Sequence, residues 1–392
     1  MGNPSSATQI AIVGAGIVGL AHALAAARRG FEVTVFERSN QALGASIRNF
    51  GMVWPIGQPL GERRQRALVS RRVWLTLAER GGFFADPVGS LHLAYRPEEW
   101  QVIQEFAALA GGEGVALLTA EQVAAKSPAA VTAGLLGALW SPTEVIVDAR
   151  QAIARLAAIL SQDFGVRFQF GSPVTEIAYP YLRVGGDRWR ADHIFVCSGA
   201  DLETLYPQVY RASGITKAKL QMLRTVPQPP GWRLGPALCS GLTLTHYDAF
   251  APCPSLAALK ERCQVEMPQA ITWGIHVMAC QNGLGELVLG DSHEYGLSFD
   301  PFDRQEINEF ILQYLGRFAH FPNPRIAATW HGIYSKLPGQ TEFVAHPEPG
   351  VTLVNALSGA GMTLSFGLAE ELISTLTDQP LEGLALGEQQ LN

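Results

Sequence analysis

The 392-residue chain is short of most features that would assign it quickly to a class. Its five cysteines (Cys197, Cys239, Cys253, Cys263, Cys280) form no C-x-x-C pair and are odd in number, which argues against a disulfide framework and for reduced thiols in a cytoplasm. The nine histidines show no H-E-x-x-H or comparable spacing, so a metal site is not expected. Positive charge is not in excess: the net charge of −6 gives no general attraction for nucleic acid or anionic membranes. The one long apolar run, Ile10 to Ala27, has the length of a membrane span. It lacks a basic leader, carries three glycines and His22, and passes straight into Arg28-Arg29-Gly30. A buried strand followed by a helix that Gly30 terminates explains it better than a signal peptide or a transmembrane segment. Gly2 and Ser6 fit a myristoylation pattern, but a short one that recurs by accident, so the first eight residues read as a loose arm.

With 47% apolar residues and this length, the chain can build two domains and bury a sizeable core. Within the apolar run lies the most informative feature, Gln9-Ile-Ala-Ile-Val-Gly-Ala-Gly-Ile-Val-Gly19. Gly14, Gly16 and Gly19 satisfy G-x-G-x-x-G: a tight turn, close approach to a pyrophosphate, and close helix–strand packing. The helix begun there, through Ala15, Ile17 and Val18, points free N–H groups and its positive dipole end at phosphates. Phe31–Glu37 reads as the second strand, and Glu37, eighteen residues past Gly19, stands where a carboxylate accepts ribose hydroxyl bonds. Together these features predict a dinucleotide site.

Further along, Gly44–Trp54 is small and polar, suited to threading past a cofactor. Helices are expected over about 62–80, 98–110, 148–162 (with Asp148 as N-cap), 305–319 and 361–376. Strands are expected at Val166–Phe170, Pro173–Ile177, His193–Val196 and Val351–Asn355, and a strand-rich stretch from 215 to 325. Cys197-Ser198-Gly199 and Ser358-Gly359-Ala360-Gly361 are further small-residue turns at strand ends, where doubly wound sheets bind ligands. One nucleotide unit needs only the first glycine turn, so three such turns favour a long cofactor, FAD.

These segments resemble the D-amino-acid oxidase/glycine oxidase/sarcosine oxidase superfamily of FAD enzymes over essentially the whole chain, in family order. Ile12–Gly19 with Glu37 and Arg38 matches the FAD fingerprint, and Ala45, Ser46, Asn49, Gly51 and Met52 the flavin-threading segment. Val174 matches the strand residue whose backbone meets adenine, Cys197–Gly199 the turn facing the pyrophosphate, and Ser358, Gly359, Gly361, Met362 and Thr363 the turn facing flavin O2. More narrowly, Ser46–Pro55 and Gly290–Gly296 look like a branch associated with oxidation of N-methylated 2-aminoethylphosphonate to an aldehyde and methylamine. The departures are informative. Tyr334 stands where the glycine and D-amino-acid oxidases carry a carboxylate-gripping arginine. Thr363 replaces the sarcosine oxidases' lysine, Ile333 falls near their covalent flavin thiolate, and Val288 replaces the lysine that promotes oxygen reactivity.

The resemblance therefore implies an α/β protein with a Rossmann-like FAD domain (1–84, 146–214 and 326–392) and a strand-rich α+β substrate domain (85–145 and 215–325). It implies non-covalent FAD and oxidation of a small amine by hydride transfer to flavin N5, with imine hydrolysis and with oxygen or another acceptor receiving the electrons. Substrate-shell candidates are Arg48, Met52, His246, Tyr247, His276, Tyr334 and Lys336, with no side chain nominated as a catalytic base. Arg48 reads equally well as a pyrophosphate partner, Lys336 as an exposed loop residue, and the histidines and Tyr247 as residues on strands. Arg224 is a further cationic candidate. Three other readings stay open: a sarcosine, glycine or D-amino-acid oxidase; an FAD dehydrogenase of a hydroxy acid or polyol phosphate; and a flavin-binding scaffold without turnover.

Overall fold

In the computed structural model, which describes residues 8–112 and 114–377, the apolar run resolves into a strand and a helix. Gln9–Val13 is the strand, and Ile17–Ala27 is a helix buried along almost its whole length. Gly14 turns between them at a φ of 104°. A side chain at Gly19 would stand 1.9 Å from the Gly14 carbonyl oxygen, so only glycine lets the helix pack back onto its own strand. Gly30 stops the segment in the left-handed region, as expected of a C-terminal glycine. No described helix is long and apolar enough to cross a membrane. Residues 1–7, the greater part of the expected loose arm, lie outside the described residues.

Gln9–Val13 sits inside a six-stranded sheet ordered Phe343–Glu348, Val351–Asn355, His193–Val196, Gln9–Val13, Glu32–Phe36, Arg167–Gln169. All neighbours pair in parallel except the first two strands. Pieces far apart in sequence thus bring their carboxyl ends to one edge, and the three expected glycine turns lie side by side there. The helix Ala149–Phe164 covers this sheet; Asp148 caps it as the sequence predicts, accepting from the Arg150 amide at 3.2 Å, and Gly165 ends it in the left-handed region two residues beyond the expected stop.

The second layer is built on a sheet ordered Glu294–Gly296, Thr216–Thr225, Leu287–Gly290, Met278–Gln281, Ala237–Cys239, Ser90–Ala94, Gly137–Ser141, Ala116–Leu118. A ninth strand, Ile326–Lys336, pairs with Thr216–Thr225 along nearly its full length. The sequence reading placed 326–336 with the cofactor domain, and the pairing moves this strand into the substrate layer. The stretch 215–325 also holds helices at Gly241–His246, Leu256–Glu266 and Pro268–Thr272 that its composition did not signal. The last two are short or weakly amphipathic, and packing under the sheet rather than periodicity stabilises them.

The C-terminal helix Gly361–Ser374 packs against the first helix, and one buried carboxylate ties them. Glu370, 3% exposed, receives Arg29 at 2.6 Å and Arg28 at 3.3 Å. Removing it leaves two mostly buried guanidinium groups without their counter-charge. Glu370→Ala should lower unfolding free energy by about 3 kcal/mol, read as a shift of the urea midpoint followed by helix signal.

Candidate active site

The two layers enclose a cleft of about 1070 Å³ that runs from the glycine turns to the underside of the nine-stranded sheet. It takes in nearly every residue singled out from the sequence. Gly14, Gly16, Ile17, Val18, Glu37, Arg38, Ala45, Ser46, Asn49, Met52, Val174, Cys197, Ser198, Gly199, Ser358, Gly359, Gly361, Met362 and Thr363 all line it. Ala15, Gly19 and Gly51, expected with them, do not. Ala15 instead donates its amide to Glu37 Oε2 at 3.0 Å. Gly19 and Gly51 are packing positions, where a side chain would strike the Gly14 and Val147 carbonyls.

The fit of a dinucleotide rests on geometry at the turns. A Cβ on Gly14 would lie 2.4 Å from the Cys197 carbonyl oxygen, so the first and second turns approach as closely as backbone allows. The first helix has Gly16 as N-cap with no side-chain cap, and its Ile17 amide meets only the Ser46 hydroxyl, at 2.9 Å. The third turn holds Ala356 and Ser358 at φ values of 54° and 53°, positions that are strained for residues with a Cβ. It opens a helix with no side-chain cap, whose N–H groups face the cleft end. Such exposed amides at two helix starts suit a pyrophosphate and a flavin carbonyl. Arg38 is paired with Asp201 at 2.7 Å, so its charge is balanced at the rim.

Two residues carried over by resemblance turn out to brace the site. Asn49 donates to the Ala45 and Ser46 carbonyls and accepts from the Gly51 amide, which fixes the threading segment. The Thr363 hydroxyl accepts from the buried Trp54 amide at 2.9 Å, so it holds that segment against the last helix. Arg48 is exposed, and its guanidinium reaches the His331 carbonyl at 3.5 Å. Its own carbonyl accepts from Trp330 Nε1 at 3.1 Å. The Ser335 hydroxyl bonds the Asn355 carboxamide and meets the Ala356 amide, joining the substrate layer to the third turn.

The other substrate candidates, Met52, His246, Tyr247, His276, Tyr334 and Lys336, also line the cleft. None of His246, Tyr247 and His276 lies on a strand as expected. His246 ends the helix Gly241–His246, Tyr247 follows it, and His276 precedes the strand Met278–Gln281. These chain ends meet two residues that sequence reasoning missed, Asp291 and His293. His246 and His276 stack with ring centroids 3.8 Å apart and planes 26° from parallel, and His293 lies 4.7 Å from the first and 5.3 Å from the second. Asp291 stands beneath, 3.0 Å from His276 Nε2 and 3.9 Å from His293 Nε2. His293 Nδ1 pairs with the Gly274 carbonyl at 3.0 Å, while His276 Nδ1 is buried and unpartnered. Both missed residues lie inside Gly290–Gly296, quoted for its resemblance, but nothing in that stretch says which side chains turn inward.

Burial, the two neighbouring imidazoles and Lys336 hold His246 well below the usual histidine range. Burial chiefly lowers His293 as well, with Asp291 opposing. Burial and the Asp291 charge push both Tyr247 and Tyr334 well above the ordinary phenol range, so they act as neutral O–H donors. Ligand atoms of the three imidazoles lie within 4.8 Å of one another, the one such group among the described residues. Stacked rings do not suit a shared metal: an ion must lie in the plane of each ring it binds, and rings lying face to face with centroids 3.8 Å apart do not aim their nitrogens at one point between them. No metal site is assigned.

Comparison with known proteins places the chain in a family. A model of the family described as FAD dependent oxidoreductase (DAO) matches residues 9–375, and the chain belongs to that family. FAD is its cofactor. The fold is similar to glycine oxidase from Geobacillus kaustophilus, at 20% identity over 97% of this chain and 99% of that one with a TM-score of 0.74. It is similar also to L-proline dehydrogenase from P. horikoshii, at 20% identity over 97% and 96% with a TM-score of 0.71. Among curated relatives, the D-amino acid dehydrogenase 2 of Pseudomonas aeruginosa is 29% identical over 49% of this chain. A tRNA 5-methylaminomethyl-2-thiouridine biosynthesis bifunctional protein of Maricaulis maris is 22% identical over 94%. The chain spans 60% and 52% of these two relatives' lengths.

Cys197 is the one cysteine lining the cleft, and burial pushes its thiol far above the usual range, so no thiolate stands ready to bond a flavin. Purified protein should release FAD on acid or heat denaturation, checked by absorbance of the supernatant. Glu37 braces two backbone amides, those of Ala15 and Ser39, and faces the cleft. Glu37→Ala should weaken FAD binding by about 1–3 kcal/mol, read by fluorescence titration of the apoprotein.

Proposed function

We propose that the protein oxidises the C–N bond of a small amine whose other end is a tetrahedral oxyanion, best matched by N-methylated 2-aminoethylphosphonate. Likeness to a glycine oxidase, a proline dehydrogenase and a D-amino acid dehydrogenase supports amine chemistry. The chemistry that FAD would supply there is that of a hydride acceptor. The chain's own residues orient the substrate, exclude water and hold its anionic end. Met52, Leu220, Met222 and Met278 supply an apolar lining that desolvates the reacting carbon, and no side-chain base is assigned.

The observation that carries the reading is the donor set at the cleft end. A carboxylate is matched by the planar two-pronged fork of an arginine. Here the position that resembles that arginine is Tyr334, and the polar groups around it are dispersed: the Tyr247 hydroxyl, the Lys336 ammonium, and the rings of His246, His276 and His293. A phosphonate offers three oxygens in different directions and suits such a set. An FAD dehydrogenase of a polyol phosphate keeps some support from the same anion-binding character and from likeness to an L-alpha-glycerophosphate oxidase of Mycoplasma pneumoniae, at 15% identity and a TM-score of 0.70.

Under anaerobic conditions N-methyl-2-aminoethylphosphonate should bleach the flavin faster than sarcosine, glycine, D-alanine or glycerol phosphate, with methylamine and an aldehyde as products. Faster bleaching by sarcosine or D-alanine would return the protein to the amino-acid oxidase reading. Tyr334→Phe removes one O–H donor and should raise KM about 5–10-fold, the scale of one net hydrogen bond, with the flavin spectrum unchanged.

The electron acceptor belongs to the same proposal. Val288 is buried and apolar, pairing across the sheet with Arg224 and Cys280. Arg224 already faces Glu286 at 3.5 Å. Reduced enzyme should reoxidise slowly with oxygen in stopped flow and faster with an artificial dye acceptor; fast oxygen reoxidation would implicate another cation.

A further inference from the structure

The histidine stack raises a charge problem. The fixed charges beside it are Asp291 and Lys336, of opposite sign; Tyr247, Tyr334 and Tyr295 are phenols, and Arg48 turns its guanidinium to the His331 carbonyl. Lys336 lies over the Tyr295 ring, 3.3 Å from its hydroxyl. These two fixed charges cancel, so a dianion entering the pocket would add two negative charges beside buried Asp291 with no fixed cation left to meet them.

We infer that the His246–His276–His293 stack is a proton-taking oxyanion clamp, which binds a dianionic tetrahedral group by acquiring a proton from solvent and thereby selects it over a monoanion. This rests on the substrate reading above. Three geometric facts support it. His276 stacks on His246 with its Nε2 3.0 Å from Asp291 and its Nδ1 buried without a partner, so it fixes the ring that faces the shared space. His293 has Nδ1 committed to a carbonyl, so its remaining nitrogen faces Asp291 and the shared space. A neutral ring stacked on a charged one is favourable, whereas two charged rings at 3.8 Å repel, so the stack is suited to about one proton. Burial and mutual proximity keep His246 and His293 neutral in the empty site, which leaves the stack able to accept.

The sign of the pH dependence follows. A bound dianion raises an imidazole pKa that the empty site depresses. Between the two values, binding takes up a proton. There affinity falls about tenfold per pH unit; below the lower value the ring is already charged, and above the higher one it is neutral in both states and affinity levels off at its weakest. The contribution of the clamp to KM should rise with pH from the pKa of the empty site and level off above that of the complex.

The test is calorimetric titration of oxidised holoenzyme at pH 8.5, in buffers of different ionisation enthalpy, with ethylphosphonate, its singly charged isostere ethanesulfonate, and propionate. Ethylphosphonate should bind with uptake approaching one proton, after subtraction of the ligand's own titration, and at least tenfold more tightly than ethanesulfonate. Uptake should fall by half or more in His246→Asn and in His293→Gln, with FAD content and spectrum retained as the check on folding. His22→Asn, a change of a buried histidine in the first helix outside the cleft, should leave uptake unaltered wherever that variant retains FAD. Tight ethylphosphonate binding without proton uptake, or with uptake untouched in both clamp variants, overturns the clamp and leaves the substrate reading standing. Propionate binding in preference to ethylphosphonate overturns both. Uptake that disappears after treatment with a chelator overturns the clamp in favour of a bound metal.

Discussion

The close packing of backbone against backbone at Gly14 and Gly19 is the constraint on which the rest of the structure depends. The Gly14 carbonyl lies where a Gly19 side chain would stand, and the Cys197 carbonyl where a Gly14 side chain would stand. These contacts seat the first helix on its strand and bring the turn after His193–Val196 alongside. With Val351–Asn355 paired to that strand, the third turn arrives at the same edge. Three anion-facing turns converge because parallel pairing leaves strand ends in register, so a dinucleotide cleft follows from packing that has no side chain in it.

The substrate layer is held to this frame at few points, each polar and local. Ser335 meets Asn355 and Ala356, Trp330 reaches the Arg48 carbonyl, and Thr363 takes the Trp54 amide. The threading segment lies between the layers and is bonded to both. Residues on it that are carried over as ligand contacts, Asn49 above all, spend their hydrogen bonds on its own backbone. Positioning here is a matter of fixing the backbone of the segment that runs along the cleft.

Charge is arranged unevenly along the cleft. At the nucleotide end, Glu37 and the uncapped helix start are polar and Arg38 is neutralised by Asp201. At the opposite end, imidazoles, phenols, one ammonium and one carboxylate are crowded into partly buried space. A single guanidinium would fix the charge and geometry of the anion it accepts. A group of titratable rings does not, because its charge responds to what it binds.

The sequence by itself determined the first strand, helix and glycine turn, the Asp148 start of the long helix, the type of cofactor and the glycine turns that line its cleft. Those signals are local: a turn needs glycine, a cap needs a short polar side chain, and both are written within a few residues. Where the decision lay between elements, tertiary structure made it. Ile326–Lys336 joined the nine-stranded sheet because Thr216–Thr225 offered a partner, a pairing across a hundred residues that periodicity does not encode. His246, His276 and His293 sit on a helix end, a loop and a strand's sequel, with no spacing in common. Only the folding of that sheet stacks their rings beside Asp291, because the contacts that gather them run between elements far apart in the chain.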